Sequence, residues 1–134
     1  MALYGNDSHS AKALAYAQKL SQPLSLSILN EFELENALRH AGWRKLFPHG
    51  KIDQFLADFD ADRNLGRVVI VPVNLADVLT RARQLSATHT LTGGHRAFDV
   101  LHIAAALEYK ASHFLTFDAN QRKLAHAEGL KVSQ

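Results

Sequence analysis

The sequence predicts an α/β sandwich with parallel strands, and three observations carry that reading. Short β-rich runs alternate with helical stretches, and strands joined through a helix pair in parallel because the crossover needs roughly a dozen residues. The run Arg67-Val-Val-Ile-Val-Pro-Val73 is nearly continuous in β-branched side chains, the mark of a strand covered on both faces. Most helical stretches open on Asp, Asn or Ser and stop at glycine or proline, the residues whose backbone preferences start and end helices.

Taken in order, Asp7 or Ser8 caps a first helix in which Ala11, Leu14, Ala15 and Leu20 recur at helical spacing. Pro23 ends it, and Leu24-Ser-Leu-Ser-Ile-Leu29 alternates as a short strand. Asn30 is placed to cap the next helix, whose apolar stripe is Leu34, Ala37, Leu38 and Ala41. Gly42 and the Pro48-His49-Gly50 turn separate it from a helix with Ile52, Phe55, Leu56 and Phe59 on one face. Gly66 stops that helix ahead of the 67–73 strand. Asn74 caps a helix to about Ser86 that buries Leu75, Val78, Leu79, Ala82 and Leu85. Thr88 to Gly94 reads as a loop, because Thr92-Gly93-Gly94 breaks regular structure. The most apolar helix runs from about Arg96 to Lys110 and carries Phe98, Leu101, Ala104, Ala105 and Leu107. His113-Phe-Leu-Thr-Phe117 is a further strand, and Asp118 can cap a helix to about Ala127. Gly129 ends that helix, and Leu130-Lys-Val132 makes the last strand.

A length of 134 residues with no repeat or linker indicates one domain with one core. An apolar fraction of 47% and a charged fraction of 21% are those of an ordinary globular protein. No apolar run approaches the roughly 18 residues that cross a bilayer, and the N-terminus lacks the pattern of a signal peptide. The chain has no cysteine, which removes disulfides and thiolate ligands and fits a cytoplasmic location. A net charge of +2 is compatible with a nucleic-acid partner and too small to imply one.

In parallel α/β sheets the ligand site lies beyond the carboxyl ends of the strands. Three acidic positions fall there. Glu31, Glu33 and Glu35 follow the first strand, Asp118 follows the strand ending at Phe117, and Asp99 sits in the first turn of the helix after Gly93-Gly94. Hard divalent ions take carboxylate oxygens from separate segments, and clustered carboxylates repel each other unless a cation neutralises them. The competing reading is helix capping for Asp118 and a dipole contact for Asp99. Glu35 is spaced to pair with Arg39 on the helix surface. Periodicity does not choose between Glu31 and Glu33.

Phe98-Asp99-Val100-Leu101-His102 resembles the Asp-x-Leu-His segment of the PIN-domain family, in particular of the VapC-type toxins of bacterial toxin–antitoxin pairs. Phe114-Leu115-Thr116-Phe117-Asp118 resembles that family's Leu-Thr-Phe-Asp segment, and the interval between the two acids also fits. Glu33-Leu34-Glu35-Asn36-Ala37-Leu38 is similar to the segment bearing its helical acid, with the match on Glu33. Tyr4 to Ser10 resembles the stretch that leads into its first helix. The resemblance implies a three-layer α/β/α sandwich with a mostly parallel sheet. It implies a metal-dependent endoribonuclease in which Asp99, Asp118 and Glu33 hold Mg2+ or Mn2+. Thr116 and His102 would be their neighbours, Thr116 orienting a carboxylate or a metal-bound water and His102 structural. It further implies RNA as substrate, a homodimer, and a cognate antitoxin whose tail enters the acidic cleft.

The family opens with a strand ending in Asp-Thr-Ser or Asp-Ser, whose Asp is a principal metal ligand. Ala2-Leu3-Tyr4 aligns beyond that strand, and Asp7 falls in the turn after it. The expectation is a single PIN-like domain over 1–134, truncated at its N-terminus and lacking the usual first strand. Both neighbours of that strand would then carry unpaired edges, unless another segment or a second chain exchanging segments fills the gap. The alternative function is therefore a catalytically impaired PIN-like domain that binds RNA or an antitoxin without cleavage.

Three other groups carry weaker signals. His95, Asp99 and His102, at i, i+4 and i+7, could share a helix face as a transition-metal site, although His95 follows two glycines. Arg39, Arg44 and Lys45 beside Trp43 form a basic patch with an aromatic, for which the favoured reading is a solvated helix end with Trp43 packed on the core. Asp58, Asp60 and Asp62 read as surface charge.

Overall fold

The structure is a computed structural model and describes residues 23–111, 113–116 and 118–133. The helix expected over residues 8–20 lies outside the described residues. The chain divides into two compact units, Met1–Val71 and Pro72–Gln134. It is a mostly helical α/β protein whose strands pair in parallel, consistent with the PIN-like class expected.

In the first unit, β1 (Leu24–Ser27) pairs in parallel with β2 (Val68–Val71), Leu24 opposite Val68 and Ser27 opposite Val71. The crossover between them is α1 (Ile28–Trp43) and α2 (Lys51–Asn64). Strand β1 is shorter than its alternation suggests, because Ser27 starts a helix. Its Oγ accepts from the Asn30 N–H at 3.2 Å while Asn30 Oδ1 accepts from the Ser27 N–H at 3.0 Å. This reciprocal box satisfies two backbone donors at once, so it outcompetes two more residues of strand. Asn30, expected as the cap, is instead the third residue of α1. Ser27→Ala is expected to lower stability by about 1 kcal/mol, read as a fall in the urea midpoint. An unmoved midpoint would show that the box contributes nothing.

Leu38, Phe59 and Val68 are the buried centre of this unit, with Leu26, Leu34, Ile52, Phe55, Leu56 and Ile70 packed around them. Gly42 lets α1 approach α2: a Cβ there would sit 2.9 Å from Ile52 Cγ1. Arg63 joins the two helices, its guanidinium 2.6 Å from Glu31 and 2.7 Å from Asp60. Its hydrogen bond to Glu31 holds the Arg63 pKa above the usual range. The pair is partly exposed, and such pairs contribute about 0–1 kcal/mol. Two expectations of burial fail here. Val69 is exposed on β2, and Trp43, expected on the core, is 77% exposed.

The second unit contains α3 (Leu75–Leu85), α4 (Ala97–Glu108), β3 (His113–Leu115), α5 (Ala119–Ala127) and β4 (Lys131–Ser133). Strand β3 pairs in parallel with β4 across the α5 crossover, His113 opposite Lys131. Asn74 caps α3 as expected, its Oδ1 accepting from the Asp77 N–H at 3.1 Å. Helix α3 packs along α4, and α4 against α5. The contact face of α3 is narrower than its pattern suggests: Val78, Ala82 and Leu85 are buried, whereas Leu75 and Leu79 are each 47% exposed. On α4, Val100, Ile103, Ala104 and Ala105 are buried, and the two alanines allow close approach.

The loop expected over 88–94 is absent. Helix α3 runs on as a π-helical turn over Ser86–Thr90 and a short α-helical turn over Leu91–Gly93. The break comes at Gly94, whose φ of 65° is the left-handed conformation that ends helices. Among the described residues, no helix is long and apolar enough to cross a membrane.

Candidate functional site

Asp99 lies in the first turn of α4, and Asp118 is the N-cap of α5. The capping expectation for Asp118 is met, with Oδ1 accepting from the Gln121 N–H at 2.8 Å. That bond does not exhaust the carboxylate. Asp118 is exposed, and its cap uses one oxygen.

Gln121, which pattern reading passed over, links the residues that it singled out. The Asp118 N–H donates to Thr116 Oγ1 at 3.1 Å, so the single hydroxyl proton of Thr116 is left to donate to Gln121 Oε1 at 2.6 Å. This fixes the orientation of the amide and turns Nε2 toward Asp99, where it meets Oδ1 at 3.4 Å. Thr116 is 5% exposed, so its hydroxyl needs those partners. The network therefore links Asp99 and Thr116 through the Gln121 side chain and Asp118 through the Gln121 backbone N–H. No periodicity marks Gln121, because a glutamine three residues past a cap is ordinary surface composition; only the packing of α4 against α5, which brings Asp99 to its side chain, reveals it.

Asp99 is 19% exposed and its other oxygen, Oδ2, lies 3.3 Å from Arg96 Nε. Arg96 is 80% exposed and makes a single long contact there. Both contacts of Asp99 are longer than typical charge-assisted bonds of about 2.7–2.9 Å. Glu33 is exposed on α1 in the first unit. Its neighbour Glu31, which periodicity could not separate from it, is committed to Arg63 at 2.6 Å. Glu35 pairs with Arg39 at 3.5 Å as expected, and Asp60 and Asp62 pair with Arg63 and Arg67 at 2.7 and 3.4 Å.

His102 is buried on α4 with its ring 5.9 Å from that of Phe98. His95 precedes α4, so the i, i+4, i+7 face of His95, Asp99 and His102 does not form on one helix. Among the described residues, no three His, Asp or Glu side chains form a group that could hold a metal ion. A cavity of about 330 Å³ against α5 is lined by His89, Thr92, His95, Asn120 and Lys123 among others, and by neither Asp99 nor Asp118. The acids thus sit at the surface and not in the cavity.

Thr116→Val tests the network. It keeps the volume of the side chain and leaves the Asp118 N–H and Gln121 Oε1 without a partner. The expected cost is about 1–3 kcal/mol in thermal or urea unfolding. An unchanged stability would mean that solvent already satisfies both groups.

Parallel strands, helical crossovers and two carboxylates at helix starts, Asp99 on α4 and Asp118 on α5, are the features of an α/β protein. The chain matches the PIN domain over residues 1–127 and belongs to that family. PIN domains are in general nucleases, and they generally use divalent metal ions. No curated protein matches the chain.

Proposed function

We propose that the protein is a metal-dependent endoribonuclease of the VapC-like toxin type. The observation that carries this reading is the hydrogen-bonded chain Asp99–Gln121–Thr116–Asp118, in which the side-chain amide and backbone N–H of Gln121 donate to two carboxylates at the starts of two helices, and buried Thr116 fixes that amide. The donor set fits a hard ion. It is all oxygen, and Mg2+ is usually held by one or two carboxylates, its remaining positions filled by water and substrate phosphate. Asp99 and Asp118 would hold Mg2+ or Mn2+, and the resemblance assigns the family's remaining helical acid to Glu33 on α1 of the first unit. A bound ion supplies an activated water and stabilises the leaving oxygen of the phosphodiester. The chain's own part is orientation. Thr116 and Gln121 set the carboxylates, His102 packs the helix that carries Asp99, and Arg96 neutralises Asp99 until a cation replaces it. RNA, a cognate antitoxin and a second copy of the chain are the partners in this reading, in the cytoplasm, with residues 1–134 acting as one domain.

The test is removal and return of the metal. Cleavage of single-stranded and structured RNAs is expected to stop with EDTA and to return with excess Mg2+ or Mn2+. Folded protein that cleaves none of a broad panel of RNAs with either ion would remove the nuclease reading.

A second reading is favoured by one specific feature, the Arg96 guanidinium on Asp99. If that ion pair stands permanently in place of a metal, the domain binds RNA or an antitoxin without cutting. Calorimetric titration with Mn2+ separates the two, since binding favours the nuclease and its absence favours the impaired domain.

A further inference from the structure

Trp43 is the single tryptophan of the chain and ends α1 with most of its side chain in water. An indole left this exposed forgoes one of the largest apolar burials that any side chain can offer, and such residues mark contact surfaces. The adjoining stretch of sequence carries charge of one sign. From Asn36 to Ile52 the sequence carries Arg39, His40, Arg44, Lys45, His49 and Lys51 and no acidic residue. Arg39 is engaged by Glu35, and Lys51 lies over the Phe55 ring. Among the described residues, Arg44 and Lys45 have no ion-pair partner.

The backbone places these groups together. The N–H groups of Arg44, Lys45 and Leu46 turn back to the carbonyls of His40, Gly42 and Ala41 at 2.9, 2.9 and 3.1 Å, so the chain reverses at the ring. Lys45 takes the left-handed conformation there, with φ 58°. The His40 ring stands 5.4 Å from the indole at an interplanar angle of 45°. The centre of a protein–protein interface is in general depleted in charge. Aromatic faces flanked by unpaired cations are instead the arrangement that binds single-stranded nucleic acid, bases stacking on the rings and phosphates meeting the cations.

We propose that the C-terminal end of α1 is a stacking platform for single-stranded RNA, with a base on Trp43 beside His40 and the adjoining phosphates on Arg44 and Lys45. The choice of RNA rests on the nuclease reading above. The platform stands on α1, the helix that carries Glu33.

The test uses the full chain and a 5′-labelled single-stranded RNA of about ten nucleotides, within the site sizes common for such proteins. EDTA is present so that no cutting occurs. Because Trp43 is the only tryptophan, its emission reports the site directly. Quenching is expected on RNA addition, and Trp43→Ala should weaken binding roughly 5- to 100-fold by label anisotropy. Trp43→Phe should recover most of that loss. Lys45→Gly removes a charge at a position whose backbone suits glycine, so it should reduce affinity several-fold and lower the salt slope by about one without loss of fold.

Equal RNA binding by the parent chain and Trp43→Ala would overturn the proposal. So would tighter binding of DNA of the same sequence, or light scattering in which Trp43→Ala abolishes a dimer and leaves RNA affinity unchanged. The two readings fail separately. RNA cleavage in Mn2+ with unimpaired binding by Trp43→Ala refutes the platform alone. Loss of binding in Trp43→Ala, in a chain that never cleaves, refutes the nuclease alone.

Discussion

Asp99→Asn is expected to lower RNA cleavage in saturating Mn2+ by more than the roughly 10–100-fold typical of residues that only support a metal site. The substitution is nearly isosteric. It keeps an oxygen that can accept from Gln121 Nε2 and removes the negative charge that faces Arg96. The structural cost is small, since a carboxylate in the first turn of a helix is worth about 0.3–1 kcal/mol through the dipole. Asp118→Asn is the matched control, because asparagine caps a helix as well as aspartate does. A loss of cleavage there, with helicity and unfolding midpoint retained, reports the missing charge and not a broken α5. Initial rates of RNA cleavage beside circular dichroism would decide the matter. If Asp99→Asn cleaves within a few-fold of the parent, Asp99 is a dipole contact and no more.

Phe59→Ala should have the largest effect on stability, about 3–5 kcal/mol. Phe59 is buried between Leu38 and Val68, where an α2 side chain closes the space between α1 and β2. Domains of this kind are stable by about 5–15 kcal/mol in total, so the loss takes a large share of the margin. Urea unfolding followed by the Trp43 emission reads the first unit, and far-UV dichroism reads the whole chain. With two compact units, the two signals need not coincide. A loss below about 1 kcal/mol would show that the cavity collapses, or that Phe59 is not central to the core.

Much of the fold was legible because most elements carry their own local physics. The β-branched run before Pro72, the Asn74 and Asp118 caps and the glycine stop at 129 each act within a few residues, and each appears where expected. The misreadings arose where a nearby interaction outweighed the pattern. Alternation carried the first strand to Leu29, but the Ser27–Asn30 box begins the helix at Ile28. Thr92-Gly93-Gly94 suggested a loop, yet Gly93 remains helical and only Gly94 needs a left-handed backbone. Leu75 and Leu79 matched a buried stripe, but α4 covers only the Val78 side of α3.

The site was legible in its acids and not in their support. Asp99 and Asp118 stood out through position and flanking residues. Gln121 did not, because its link to Asp99 depends on α4 and α5 packing together. The ambiguity between Glu31 and Glu33 lay likewise outside local pattern, since the partner of Glu31 is Arg63, thirty-two residues away. The run Arg44-Lys45 suggests a solvated helix end with Trp43 turned to the core, but the indole is exposed there, and sequence alone does not say which face of a helix end is covered.

The cap on α5 gives the candidate site its own reporter. Asp118 Oδ1 holds the amide proton of Gln121, so any cation that draws charge from that carboxylate also loosens the first turn of the helix behind it. Were a cation held at Asp118, its occupancy and the fraying of α5 would be linked. The hydrogen-exchange rate of a single backbone amide would then follow the ion, whether or not any RNA is ever cut.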